Sequence, residues 1–165
     1  MKEEDLQLNR RGDGGTYLVI ADTTEEFDIA LHYACRLATA RRGNIAIAHI
    51  KDVHEFIHWG KVEAIIRQDM RKEAEQEIFE ISKNINETHG IIPSIYIREG
   101  SKIDQIVDII KEEKNITALV LSASKNSNNP GPLVSYFSGK GMHRLHCPII
   151  IVPGHLDIAA INLIT

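Results

Sequence analysis

An α/β domain built on a parallel sheet is predicted by three observations. Short apolar runs rich in β-branched residues recur at Thr16–Ala21, Ile45–Ile50, Ile91–Arg98, Ile116–Ser122 and Pro148–Val152. Stretches with helical spacing of apolar residues lie between them. The first of these runs, Thr16–Ala21, is nearly continuous rather than alternating, as strands buried on both faces are. Strand and helix alternating at this spacing imply a parallel sheet with helices on both faces. Ligands of such sheets sit beyond the carboxyl ends of the strands, which here are Asp22, His49–Ile50 and Ser122.

Each element has a local reason. Asp22-Thr23-Thr24 ends the first strand, and Thr23 with Glu26 three residues on is a capping-box pattern that starts a helix. Ile29, Ala30, Tyr33, Ala34, Leu37 and Ala38 form its apolar face. Arg41, Arg42 and Gly43 close it, with cations at the negative end and glycine at the stop. After the second strand and the segment Val53 to Gly60, one apolar stripe runs through Val62, Ile66, Met70, Ala74, Ile78, Ile81 and Ile85. It predicts a long amphipathic helix that ends at Gly90. Pro93 opens the third strand, which suits a strand start or an edge. Ser101 with Asp104 caps a helix whose face is Ile103, Ile106, Val107 and Ile110. The fourth strand leads into a polar loop, Ala123 to Val134. A brief helical pattern, Ser135 to His146, precedes the last strand.

The chain of 165 residues, 43% hydrophobic, suits one domain with a sizeable core. Residues 1–15 read as a flexible polar leader, 16–153 as the domain, and 154–165 as a weakly structured tail. The apolar residues of that tail either pack locally or form a strand or arm over a partner subunit. A net charge of -4 with interleaved signs argues against nucleic acid as a partner. No apolar run approaches the length of a membrane span. The N-terminal stretch lacks the apolar core of a signal peptide, so a cytoplasmic location is expected. Cys35 and Cys147 make no disulfide framework, and no internal repeat is evident.

Strand, long polar loop and helix start together form a candidate anion site, because the first turn of a helix carries unpaired N–H groups and partial positive charge. Ser122, Ser124, Lys125, Ser127, Ser135, Ser138 and Lys140 supply hydroxyls and cations there. The competing reading is a mobile polar surface loop.

Five pieces in order resemble the universal stress protein family. They are Ala21-Asp22-Thr23-Thr24 after strand one, His49-Ile50 closing strand two, and Arg98-Glu99-Gly100-Ser101 opening a helix. Strand four running into a long loop and Cys147-Pro148 opening the last strand complete the set. The resemblance covers roughly Thr16 to Pro153. It implies the adenine nucleotide alpha hydrolase-like fold: a five-stranded parallel sheet in the order 3-2-1-4-5, two helices on each face. It also implies a homodimer, through the last strand at Ile149–Val152, acting in the stress response. Many members bind ATP through the turn after strand one, a backbone contact at the end of strand two and a glycine-rich loop. The matching positions are Ala21, Asp22, Thr23 and Ile50. In the loop pattern, spaced back from Cys147-Pro148, the three glycines fall on Ser122, Lys125 and Ser135, and the small hydroxyl residue on Tyr136. Glycine serves there because phosphate must approach bare amides. The resemblance thus implies the fold with nucleotide binding weak or lost. Its alternative is an ATP or other adenine nucleotide switch with an altered phosphate loop, in which Ser135, Ser138 and Lys140 hold the phosphates.

Other chemistry has less support. His54-Glu55-Phe56-Ile57-His58 spells the zinc-protease pattern, but in a short connection rather than a long helix. A zinc hydrolase through His54, Glu55 and His58 is the remote alternative. Asp22 is expected to cap a helix or touch a ligand. His49 is expected to be a packed, hydrogen-bonded core residue, and Cys35 a core residue. Nothing in the sequence activates Cys147. No Gly-x-Ser-x-Gly elbow appears, nor the Ser-Gly-Gly loop of the related ATP pyrophosphatases. The expected protein has no catalytic residue and no bound metal, and its protein partners are unspecified.

Overall fold

Successive residues of β1 (Thr16–Ile20) face opposite sides of a sheet, and both sides are covered. Tyr17 and Val19 join one apolar cluster, Leu18 and Ile20 the other. The computed structural model describes residues 14–22, 24–52, 61–126 and 128–165. Around β1 lie β2 (Asn44–Lys51), β3 (Ser94–Glu99), β4 (Ile116–Ala123) and β5 (Ile149–Pro153), in the order β3-β2-β1-β4-β5 with every pair parallel. This is the predicted α/β fold.

Helices α1 (Glu25–Arg41) and α2 (Lys61–His89) cover one face. Helices α3 (Lys102–Glu112) and α4 (Pro132–Phe137) cover the other. The first core holds Phe27, Ala34 and Cys35 of α1 with Ile78 and Ile85 of α2. The second holds Ile106, Val107 and Ile110 of α3 with Phe137 of α4. The predicted stripe on α2 divides. Ala74, Ile78 and Ile85 are buried, whereas Val62 in the first turn is exposed. Among the described residues, no helix is long and apolar enough to cross a membrane.

Several boundaries differ from those expected. β3 begins at Ser94, paired with Ala46, because Pro93 has no N–H to offer a ladder. At the end of α1 the left-handed position belongs to Arg42 (φ 55), not Gly43. Gly43 is needed because a Cβ there would press on the Gly15 carbonyl oxygen. The helical pattern expected over Ser135–His146 is two pieces. α4 starts at Pro132, whose ring presets the helical φ at the first position. The Gly139-Lys140-Gly141 turn then separates it from a 3₁₀ turn at Met142–Arg144.

The tail is neither frayed nor a strand. It forms α5 (Ile158–Ile164), N-capped by Asp157, whose side chain accepts from the Ala160 N–H at 2.7 Å. α5 docks on α1: Ile161 is fully buried, His32 bonds Asn162 at 2.9 Å, and Arg36 donates to Thr165 Oγ1 at 3.1 Å. If α5 belongs to the cooperative unit, Ile161→Ala lowers unfolding free energy by about 2–5 kcal/mol. Urea titration checks this, since a loose tail would leave the midpoint unchanged.

Candidate functional site

The carboxyl ends of β1 and β4 face the start of α1. Asp22 Oδ1 accepts from the Thr24 N–H at 2.9 Å and from the Thr24 hydroxyl at 2.5 Å. Thr24 Oγ1 in turn accepts from the Phe27 N–H at 3.3 Å. Thr24 is therefore the N-cap, and Asp22 holds the cap from one step behind. The expected cap partner, Thr23, lies outside the described residues. Glu26, expected to close the capping box, reaches across to the loop after β4 instead.

Lys125 ties that loop to α1. Its backbone N–H donates to Glu26 Oε1 at 3.1 Å, and its ammonium meets Glu25 Oε2 at 2.5 Å. The Lys125 bond holds the Glu26 carboxyl below its usual pKa, and Glu25 holds the Lys125 ammonium above its own. The Lys125 side chain thus turns to Glu25. Gly154 packs against the same place, where a Cβ would overlap the Ala123 carbonyl oxygen and press on Glu26.

The loop closes on itself. Ser124 N–H donates to the Pro130 carbonyl at 3.0 Å, and Asn129 N–H to the Asn126 carbonyl at 3.3 Å. Asn126 N–H donates to Ser124 Oγ, Asn128 N–H to Asn126 Oδ1, and Gly131 N–H to Asn129 Oδ1. With Lys125, every described amide from Ser124 to Gly131 that carries a hydrogen is engaged inside the protein. Short Ser and Asn side chains favour such turns. A phosphate gripped by these amides would have to displace those bonds. It would also meet the Glu25 and Glu26 carboxylates that hold Lys125.

The remaining predicted residues are dispersed. Ala21 is buried, its N–H donating to the Ala48 carbonyl, and Ile50 is buried in the α3-side core. Ser122 sits half-buried near the end of β4. Ser135 is exposed on α4. Ser138 Oγ donates back to the Val134 carbonyl at 2.6 Å, as a residue closing a helix does. Tyr136 accepts from Arg144 through its hydroxyl at 3.0 Å, and Arg144 also bonds Asp104 at 2.7 Å. The Lys140 ammonium lies 5.7 Å from the centre of the Tyr136 ring. Tyr136 is thus braced through Arg144 onto Asp104 of α3, while Ser135, Ser138 and Lys140 are exposed on α4 and the turn that follows it. Glu25 and Glu26 had no visible role beyond the helix start, because their contact with Lys125 spans about a hundred residues of sequence.

His49 lies under α2, but its Nδ1 is buried without a hydrogen-bond partner, so the expected satisfied histidine is not found. Burial pushes the Cys35 thiol up to about 12 and raises Cys147 as well, so neither is activated. The His54-Glu55-His58 pattern lies outside the described residues. Among those described, no three His, Cys, Asp or Glu side chains come together to hold a metal.

The universal stress protein family model matches residues 16–153, and the chain belongs to that family. The universal stress protein UspA from Lactobacillus plantarum is 19% identical, with a TM-score of 0.69 over 84% of this chain and 97% of that one. The hypothetical protein MJ0577 is 17% identical, with a TM-score of 0.72 over 87% and 99%. A universal stress protein solved in complex with cAMP is 19% identical, with a TM-score of 0.58 over 84% and 96%. At these identities the likeness concerns the fold. No curated protein sequence matches the chain.

Because the folded pKa of Glu26 is depressed, its contribution is present above the unfolded value and lost as pH falls through the folded one. The Lys125 amide resonance should therefore titrate with a midpoint below the ordinary glutamate value of 4.5. NMR titration checks this. In Glu26→Gln the step should vanish.

Proposed function

We propose that this chain is a non-enzymatic universal stress-type module that acts by dimerising and by contacting other proteins, with nucleotide binding weak or lost. The observation that carries the reading is the loop after β4. Its amides donate to Ser, Asn, Glu and backbone oxygens, and carboxylates line the approach. An anion site needs the reverse, unpaired N–H groups in a positive field.

The dimer reading is supported by the last strand. β5 is an edge strand, and Ile151 on it is 40% exposed. A hollow of about 550 Å³ beside it is lined by Met142, Leu145, Pro148, Ile149 and Ile151. Exposed apolar edges of this kind are normally covered.

A second reading, an adenine nucleotide switch, takes support from the similar fold solved with cAMP. It requires the Lys125 contacts with Glu25 and Glu26 to open. Denaturing the purified protein and assaying for released adenine nucleotide, then titrating ATP with and without Mg²⁺, separates the two. The module reading expects no nucleotide and no saturation; micromolar binding overturns it. Light scattering at micromolar concentration should report a dimer, and Ile151→Lys a monomer, because a charge in a buried apolar contact is strongly disfavoured.

A further inference from the structure

We infer that the hollow at the carboxyl ends of β2 and β3 binds a small phosphate-bearing anion. This hollow, of about 350 Å³, is a different place from the cleft at Asp22 and Ser122. Its walls carry three cations, Lys51, Arg71 and Arg98, against one carboxylate, Glu99, on a chain whose net charge is -4. Ala74 and Ile97 add apolar surface.

Each cation already has a partner, two of them carboxylates, so a ligand would have to compete for the two arginines. Arg71 Nε bonds Glu75 at 3.1 Å and Arg98 Nη2 bonds Glu112 at 2.6 Å, both in substantially exposed pairs. Such pairs hold weakly, and a guanidinium fork matches phosphate oxygens in a bidentate manner. Lys51 Nζ donates to the Met70 carbonyl at 2.7 Å, which fixes an ammonium with three donors at the wall under α2. The volume falls within the range of small-molecule sites, about 300–1,000 Å³. Together with the apolar surface, this favours a phosphate ester with an organic body over the bare ion.

His49 gives the site a reporter. Its ring lines the hollow, and its Nδ1 is buried with no partner, which is rare for a buried polar atom. Facing it are Lys51 from β2, Glu77 from α2, Lys102 from α3 and the hollow's own Arg71, Arg98 and Glu99. Burial, with Lys51 and Lys102, holds His49 below the usual histidine pKa, while Glu77 acts the other way. A bound dianion would add negative charge beside the ring and raise that pKa.

The test is a calorimetric titration of the full chain in low-salt buffer with glycerol 3-phosphate and, separately, inorganic phosphate. The His49 ring is followed by NMR. Glycerol 3-phosphate should bind at millimolar concentration or below and raise the His49 pKa. The double variant Arg71→Ala, Arg98→Ala should weaken binding by at least about tenfold. Tighter binding of the ester assigns the site to a phosphorylated metabolite; equal binding of inorganic phosphate supports the site and assigns it to the free ion. The inference is overturned if neither probe binds at about 10 mM, a concentration at which even a weak millimolar site would be mostly filled. It is equally overturned if the double variant binds undiminished.

Discussion

A backbone N–H taken out of water must find an acceptor. In the sheet the parallel ladder meets that demand, and it lets β1 and β4 run through the middle with both faces covered by helices. The loop after β4 is largely exposed, so water could serve its amides, yet those described are paired within the protein. There Ser124, Asn126, Asn129 and Glu26 provide the acceptors through their side chains. Side-chain acceptors thus do in this loop what the ladder does in the sheet.

Lys125 links this local closure to the rest of the domain. Its contacts with Glu25 and Glu26 place the loop on the first turn of α1, where the helix dipole already favours carboxylates. Gly154 lets the turn after β5 reach the same spot without a side chain in the way. That turn leads directly to α5, which packs back on α1 through Ile161. One corner of the molecule therefore joins the loop, a helix start and the C-terminal helix. The hollow at β2 and β3, where Lys51, Arg71 and Arg98 meet, lies apart from it.

Alternation and capping made most of the fold legible. Buried strands betray themselves by continuous apolar runs, and Ser101 does accept from the Asp104 N–H as its spacing implied. Errors fell where two local signals competed. Two adjacent threonines could each start α1, and Thr24 took the cap. Gly131-Pro132 marks the start of α4 more strongly than the serine three residues later, because proline presets the backbone. The tail looked weak as a segment, yet Asp157 is an N-cap in front of an apolar turn, a signal that could have been read.

What the sequence determined by itself was the class of fold and its element order, because each depends on neighbours a few residues apart. The partners of the loop after β4 were decided only by the tertiary structure. Glu26 and Lys125 stand 99 residues apart, as do Asn115 and Thr16, which bond at 3.0 Å. The meeting of Lys51, Arg71 and Arg98 around one hollow belongs to the same category. Such juxtapositions arise from how the strands are ordered and how the helices lie across them, and no periodicity along the chain encodes the distance between two side chains that only the sheet brings together.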